Sequence, residues 1–349
     1  MVGPNQQQSL PWLVQPLSQA LATARSHALL VQGPAGVGQF DLALLLAQAW
    51  LCEQHPASEQ RSRPACGHCA SCLLFQSHTH PDFQLLLPDA LRESLGWAQE
   101  AETGRDGIDG GSKASKTKPS REIKIDAVRA MLNFTQVTSA RGRAKVVVVY
   151  PAEALNHVAA NALLKTLEEP GGLLRFVLAS NSPEGLLPTI RSRCQPLPLG
   201  LPARQPSLQW LSECGVIGPE VLLMAAGGRP QEARDWFEAG LRANAWQQLP
   251  QRLARGEAAA LVDWPLPRAI DALQRLCHDL LRRSHGAAPT YFAAESLPTP
   301  SLAAPLHGWD AALRRAARHA EHPLNAGLLM ESLFAQGRQA LLEATTRRG

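Results

Sequence analysis

The chain is poor in aromatic residues, with two tyrosines and eight phenylalanines among 349 residues. It also lacks any apolar run near the roughly 18 residues that cross a bilayer. Neither sign of charge dominates: 34 Lys and Arg against 30 Asp and Glu leave a formal charge of +4. An excess that small does not by itself imply a nucleic-acid ligand. No Lys or Arg precedes Arg25, so the start has no charged-then-apolar leader pattern. A cytoplasmic protein with no membrane association is expected. What the chain does have is 45% apolar residues on a length too great for one ordinary core, so two or three domains are expected.

The residues from His27 to Asp41 organise the rest. An apolar strand, Ala28 to Val31, runs into a turn with Gly33, Gly36 and Gly38, and a helix-forming run from Leu42 to Trp50 follows. That is the frame of a phosphate-cradling loop, G-x-x-x-x-G-K-[ST]. Gly33 and Gly38 keep its spacing, but Gln39 stands where the Lys belongs and Phe40 where the Ser or Thr belongs. A neutral amide cannot offset terminal phosphate charge, and a phenyl ring cannot ligate Mg²⁺. The expectation is a nucleotide-binding scaffold that binds no nucleotide.

The seven cysteines are unevenly spread. Cys52, Cys66, Cys69 and Cys72 cluster, while Cys194, Cys214 and Cys277 are scattered. Cys66-Gly-His-Cys-Ala-Ser-Cys72 gives three thiols at two-residue gaps, and Cys52 lies at the end of the preceding helix. In a reducing compartment such a cluster suits a tetrahedral S₄ structural zinc site better than disulfides. His55 or His68 could replace Cys52 as the fourth ligand. A closed four-thiolate shell has no open position for water, so no catalysis is assigned to it.

In chain order, an amphipathic helix from Pro11 carries Val14, Leu17, Leu21 and Ala24 on one face, and His80 to Leu87 reads as a second strand. Residues 89–121, rich in Gly, Ser, Lys and Glu, read as a mobile surface loop. A helix follows from about Asp126 to Thr138, then a basic turn with Arg141 and Arg143. Lys145 to Tyr150 is an unbroken β-branched run typical of a buried parallel strand. It ends in Tyr150-Pro151, with no acidic pair to hold Mg²⁺, and Glu153 lies too far along to substitute. An alanine- and leucine-rich helix from Val158 to Glu169 precedes a strand from Arg175 to Ser180. Strands alternating with helices at these lengths give a parallel α/β sheet with flanking helices. Pro196 to Pro206 reads as a Pro-rich hinge, 207–240 as three short helices, and the part beyond about 245 as all-helical, with Ile270, Leu273, Leu276, Leu280, Leu328, Leu329 and Leu333 in apolar register.

The stretch Asn161-Ala-Leu-Leu-Lys-Thr-Leu-Glu-Glu-Pro170, Ser192-Arg-Cys194, the cysteine cluster, Thr79-His-Pro-Asp82 and the broken phosphate loop together carry a resemblance. The chain resembles the delta-prime subunits of bacterial DNA polymerase III clamp loaders, within the AAA+ superfamily, from Pro11 to about Phe334. The resemblance implies an α/β AAA+ domain over 1–199, with a zinc module at about 52–72 and the loop at 89–121. A helical lid over 200–243 and a helical collar over 244–349 are implied to follow. It implies no ATPase activity in this chain, but membership of a holoenzyme whose activity is that of a DNA-directed DNA polymerase, a nucleotidyltransferase. It implies that Arg193, between Ser192 and Cys194, is an arginine finger supplied to a neighbour's ATP. The implied partners are the gamma/tau ATPase subunits, the delta subunit, the sliding clamp indirectly and primed DNA. Arg141 and Arg143 are implied to approach DNA phosphates. Ser180 and Asn181 fall at the family's polar sensor, whereas Pro230 falls where a lid arginine belongs, with Arg229 one residue off. Two other readings compete: an active AAA+ ATPase with an atypical loop, and a zinc-dependent nucleic-acid binder.

Overall fold

The computed structural model describes residues 1–3, 10–54, 63–97, 119–257, 261, 264–320 and 325–345. The chain divides into two compact units, Met1–Ala203 and Arg204–Gly349.

The first unit is built on β1 (Ala28–Gln32), β2 (Phe83–Leu86), β3 (Lys145–Val149), β4 (Leu174–Ser180) and β5 (Gln195–Pro198). Its helices are α1 (Val14–Thr23), α2 (Gln39–Leu51), α3 (Ala70–Gln76), α4 (Asp89–Arg92), α5 (Ile125–Gln136), α6 (His157–Glu168) and α7 (Pro188–Arg191). The sheet order is β2-β3-β4-β1-β5, and each pair is parallel. Parallel strands need helical crossovers and become covered on both faces, so their sequences run apolar rather than alternating. Accordingly β3 is buried along its whole length. α2 is apolar almost all round and every residue but Asp41 is buried, as befits a helix enclosed by other elements. The opposite face packs Val147, Val149, Phe176 and Leu178 against Val128 and Met131 of α5 and Leu163 and Leu167 of α6.

Three expectations change here. The start of the Pro-rich hinge is β5, an edge strand in register with β1 from Leu29↔Gln195 to Gln32↔Pro198. Prolines are tolerated there because an edge strand has one side with no ladder to feed. Val14 is 52% exposed: the buried face of the helix, entered through a 3₁₀ turn over Pro11–Leu13, is Leu13, Leu17, Ala20 and Leu21, and Val14 falls at its edge. The segment 89–121 is not wholly loop, since Asp89–Arg92 is helical; residues 98–118 lie outside the described residues.

The second unit has no strand among its described residues. It comprises α8 (Arg204–Glu213), α9 (Pro219–Ala225), α10 (Pro230–Glu238), α11 (Ala243–Arg255), α12 (Leu266–Ser284), α13 (Ala304–Arg318) and α14 (Ala326–Thr345). Ile270, Leu273, Leu276 and Leu280 are buried as their spacing predicts, while Leu328 is exposed. Gly337 lets α14 approach α13: a Cβ there would lie 2.5 Å from Trp309 Cζ2.

Candidate functional site

The glycine turn lies at the carboxyl end of β1, where parallel α/β folds bind ligands. Gly36 and Gly38 have φ of 84° and 102°, backbone that favours glycine. Gly33 is required for a different reason, because a Cβ would sit 2.1 Å from the carbonyl oxygen of Leu199. The frame expected from the spacing is thus built.

Its interior belongs to the chain itself. Gln39 is 2% exposed, and its Nε2 donates to the carbonyls of Gly33 and Pro34, both at 2.6 Å. Both amide hydrogens are therefore held by the loop. Phe40 stacks on Tyr150 at 4.8 Å between centroids and 25° between planes, a geometry aromatic pairs favour. Asn181 Nδ2 donates to the Tyr150 hydroxyl at 3.3 Å, and the Asn181 backbone N–H donates to Glu153 Oε1 at 3.0 Å. Residues just beyond β3 and β4 thus bond to each other, and Phe40 in the first turn of α2 stacks on Tyr150 among them. Asp41 adds an acidic side chain to the first turn of α2, where a helix N-terminus would otherwise attract phosphate. Tyr150 was not singled out in the sequence as the partner of Phe40; two aromatics at successive loop ends in so aromatic-poor a chain are the signal.

The thiol cluster is the opposite case. Cys52 follows α2 directly, and Cys69 and Cys72 belong to the cap and first turn of α3. All four sulfurs lie within 4.8 Å of one another, and all four residues are buried. The separations Cys52–Cys69 of 4.0 Å and Cys66–Cys72 of 3.9 Å are close to the edge of about 3.8 Å that a tetrahedron with 2.3 Å zinc–sulfur bonds has. The backbone N–H groups of Cys66, Cys69 and Cys72 donate to the sulfurs of Cys52, Cys66 and Cys69, the outer-shell bonding that orients thiolate ligands. The hydrogen bond from Cys72 holds the Cys52 thiol down at about 4. Cys52 in turn, together with burial, pushes Cys72 up, and burial raises Cys66. Without a cation, negative charge cannot spread over four buried sulfurs; a divalent ion would remove that conflict. The donor set fits a metal ion such as zinc. His68 instead bonds the Cys66 carbonyl through Nδ1, and His55 lies outside the described residues.

The Thr79 to Asp82 motif fastens this module to the sheet. His80 is buried; the Asp82 N–H donates to its Nδ1 at 3.0 Å, which leaves Nε2 as the donor to Ser71 Oγ at 2.5 Å. That tautomer cannot activate the serine, and burial lowers the His80 pKa, so the pair is structural. The Asp82 carboxylate accepts from Ser139 Oγ and from the N–H groups of Ala140 and Arg141. Arg141 pairs with the Glu53 carboxylate at 2.5 Å, and Arg143 Nη2 donates to the Glu53 carbonyl at 2.9 Å. Both arginines therefore brace the turn against the residue next to Cys52. Glu53 was missed because only the fold brings it to the turn.

Arg193 lies beyond α7 on the surface, 29% exposed. Its Nε donates to Glu168 Oε1 at 2.7 Å and its Nη1 to the Thr189 carbonyl at 2.9 Å, while Nη2 also pairs with Glu168. Ser192 Oγ bonds the Thr189 carbonyl. Cys194 is a core residue, its thiol pushed up to about 12 by burial, so it anchors the turn and is no nucleophile. In the second unit Arg229 pairs with Glu232 at 2.6 Å, and Pro230 opens α10.

A five-stranded parallel sheet in this order, with a phosphate-loop frame at the end of β1, defines a parallel α/β domain of the phosphate-loop type. A family model described as "DNA polymerase III, delta subunit" matches residues 10–202. The DNA polymerase III subunit delta' of Pseudomonas aeruginosa is 39% identical over 66% of this chain and 62% of its own length. That of Escherichia coli is 33% identical over 80% of this chain and 78% of its own. The crystal structure of a DNA polymerase III, gamma subunit-related protein from Thermotoga maritima superposes with a TM-score of 0.44 and 16% identity over 93% of this chain and 98% of that one. The chain belongs to the family of DNA polymerase III delta' subunits.

Proposed function

We propose that this chain is the member of a clamp-loader complex that does not use ATP itself and acts on the ATP of a neighbour. In this reading it joins gamma/tau and delta subunits, helps place the sliding clamp on primed DNA, and supplies Arg193 to the γ-phosphate held next door. Residues 200–243 serve as a lid and 244–349 as a collar, in a cytoplasmic complex whose polymerase activity is a property of the whole. The thiols of Cys52, Cys66, Cys69 and Cys72 hold a structural zinc ion, which supplies cross-linking and no chemistry.

The observation that carries the reading is Gln39. A loop whose central side chain is committed to its own carbonyls has no cation for a triphosphate, and Phe40 with Tyr150 offers no metal ligand. A guanidinium, always charged and forked, suits a phosphate brought by another subunit. Equilibrium dialysis of the isolated chain with ATP and Mg²⁺ is expected to give no binding; micromolar binding with turnover would make it an ATPase. In the reconstituted complex, Arg193→Ala is expected to lower DNA-stimulated hydrolysis at least tenfold while assembly is unchanged. Unchanged hydrolysis would remove the finger.

A further inference from the structure

Arg193 already holds an anion, and that anion is its own chain's. Glu168, the last residue of α6, takes the Nε and Nη2 edge of the guanidinium, and the Thr189 carbonyl takes Nη1. A guanidinium offers five N–H donors in a rigid planar fork that fits carboxylate and phosphate oxygens alike. The edge that would grip a phosphate in two places is the edge the carboxylate holds. Glu168 and Arg193 are 48% and 29% exposed, so the bond between them faces water and can be exchanged at small cost. The backbone beneath does not share that freedom, because Cys194 is buried in the core.

We infer that Glu168 is a positioning residue for Arg193, a placeholder whose carboxylate keeps the guanidinium fork where a phosphate oxygen of a neighbouring subunit's nucleotide takes it over. The inference rests on the reading of Arg193 as a finger acting in trans. The carboxylate fixes the rotamer of a long side chain before assembly, and it competes with the incoming phosphate. Engagement requires the exchange of one anion for the other, and no covalent step is involved.

The test uses the reconstituted complex carrying Glu168→Gln, Arg193→Ala or both, with ATP hydrolysis measured without and with primed DNA. Glu168→Gln keeps the shape and a hydrogen bond but removes the competing charge. It is expected to raise DNA-independent hydrolysis roughly two- to fivefold, the range an exposed ion pair allows. The double variant is expected to match Arg193→Ala alone, because the gain must pass through the guanidinium. A misfolded or merely destabilised subunit would not raise the rate. A Glu168→Gln rate that is unchanged or lower, with Arg193→Ala still impaired, overturns the placeholder and leaves the finger standing. A gain that persists in the double variant also overturns it. Unchanged hydrolysis in Arg193→Ala removes the finger itself and the placeholder with it.

Discussion

The glycine loop and the thiol cluster lie at opposite ends of α2, and they differ in what their side chains have left over. In the loop, Gln39 bonds the carbonyls of Gly33 and Pro34 and Phe40 stacks on Tyr150, so polar and aromatic surface is consumed internally. In the cluster, four buried sulfurs converge to within 4.8 Å, and thiolate lone pairs remain for a cation beyond the backbone N–H bonds they accept. A backbone frame is therefore poor evidence for a ligand, whereas converging side chains with unused capacity are good evidence.

The largest effect is expected at the cluster. Cys66→Ser removes one of four ligands, and because metal binding to such sites is folding free energy, the first unit is expected to lose on the order of 5 kcal/mol. Elemental analysis should show zinc falling from one equivalent to well below one, with the denaturation midpoint falling in step. If chelation and Cys66→Ser both leave stability unchanged, the sulfurs are ordinary buried thiols and the contrast collapses.

The frame comes second. Gly33→Ala sets a methyl group 2.1 Å from the Leu199 carbonyl oxygen, and backbone on both sides cannot yield cheaply. A loss of about 3 kcal/mol in urea unfolding is expected. A smaller loss would mean that the approach of β1 and β5 is softer than the register implies.

Gln39→Ala is expected to cost about 2 kcal/mol, because the two bonds from the buried amide to the loop carbonyls of Gly33 and Pro34 are lost. The emptied loop still lacks a cation, so dialysis of this variant should still find no ATP. Gln39→Lys combined with Phe40→Thr is the stronger attempt to break it. Binding is expected to stay undetectable, since β3 ends in Tyr150-Pro151 rather than in acidic residues. Micromolar binding by the double variant would show that two substitutions alone separate this loop from an active one.

Much of this was legible in the sequence because it depends on local pattern. The apolar runs at Ala28–Val31 and Lys145–Tyr150 gave β1 and β3, the two-residue gaps from Cys66 to Cys72 gave the cluster, and glycine spacing gave the loop. What escaped depends on non-local partners. β5 hides in a Pro-rich stretch because only the fold makes it an edge strand. Val14 points outward because the buried stripe runs through Leu13, Leu17, Ala20 and Leu21, a 3.6-residue period that leaves Val14 at its edge. Glu53 had no motif to mark it, and Glu168, though inside the Asn161–Pro170 stretch, had nothing to tie it to Arg193; Arg141, Arg143 and Arg193 found these two partners across 88, 90 and 25 residues of chain. Arginines proposed for function from sequence should first be checked for a carboxylate of their own.

The smallest expected effect belongs to the stacked pair that fills the place of a metal-binding hydroxyl. Phe40→Leu keeps most of the volume and the apolar character, so burial changes little and the loss should reflect the ring contact. Aromatic pairs contribute about 0.5–1.5 kcal/mol beyond their area, and the cost should fall in that range. Tyr150→Phe isolates the hydroxyl, which accepts from Asn181 Nδ2 at 3.3 Å; that long bond should add less than about 1 kcal/mol. A double-mutant cycle between Phe40→Leu and Tyr150→Leu separates the contact from the two burials, since residues in contact are non-additive. Coupling near 1 kcal/mol would mean that the ring pair holds the start of α2 to the end of β3, in the place where magnesium does so in an active loop. Coupling near zero would reduce Phe40 to a space-filling residue, leaving Gln39 alone to explain why the loop is closed.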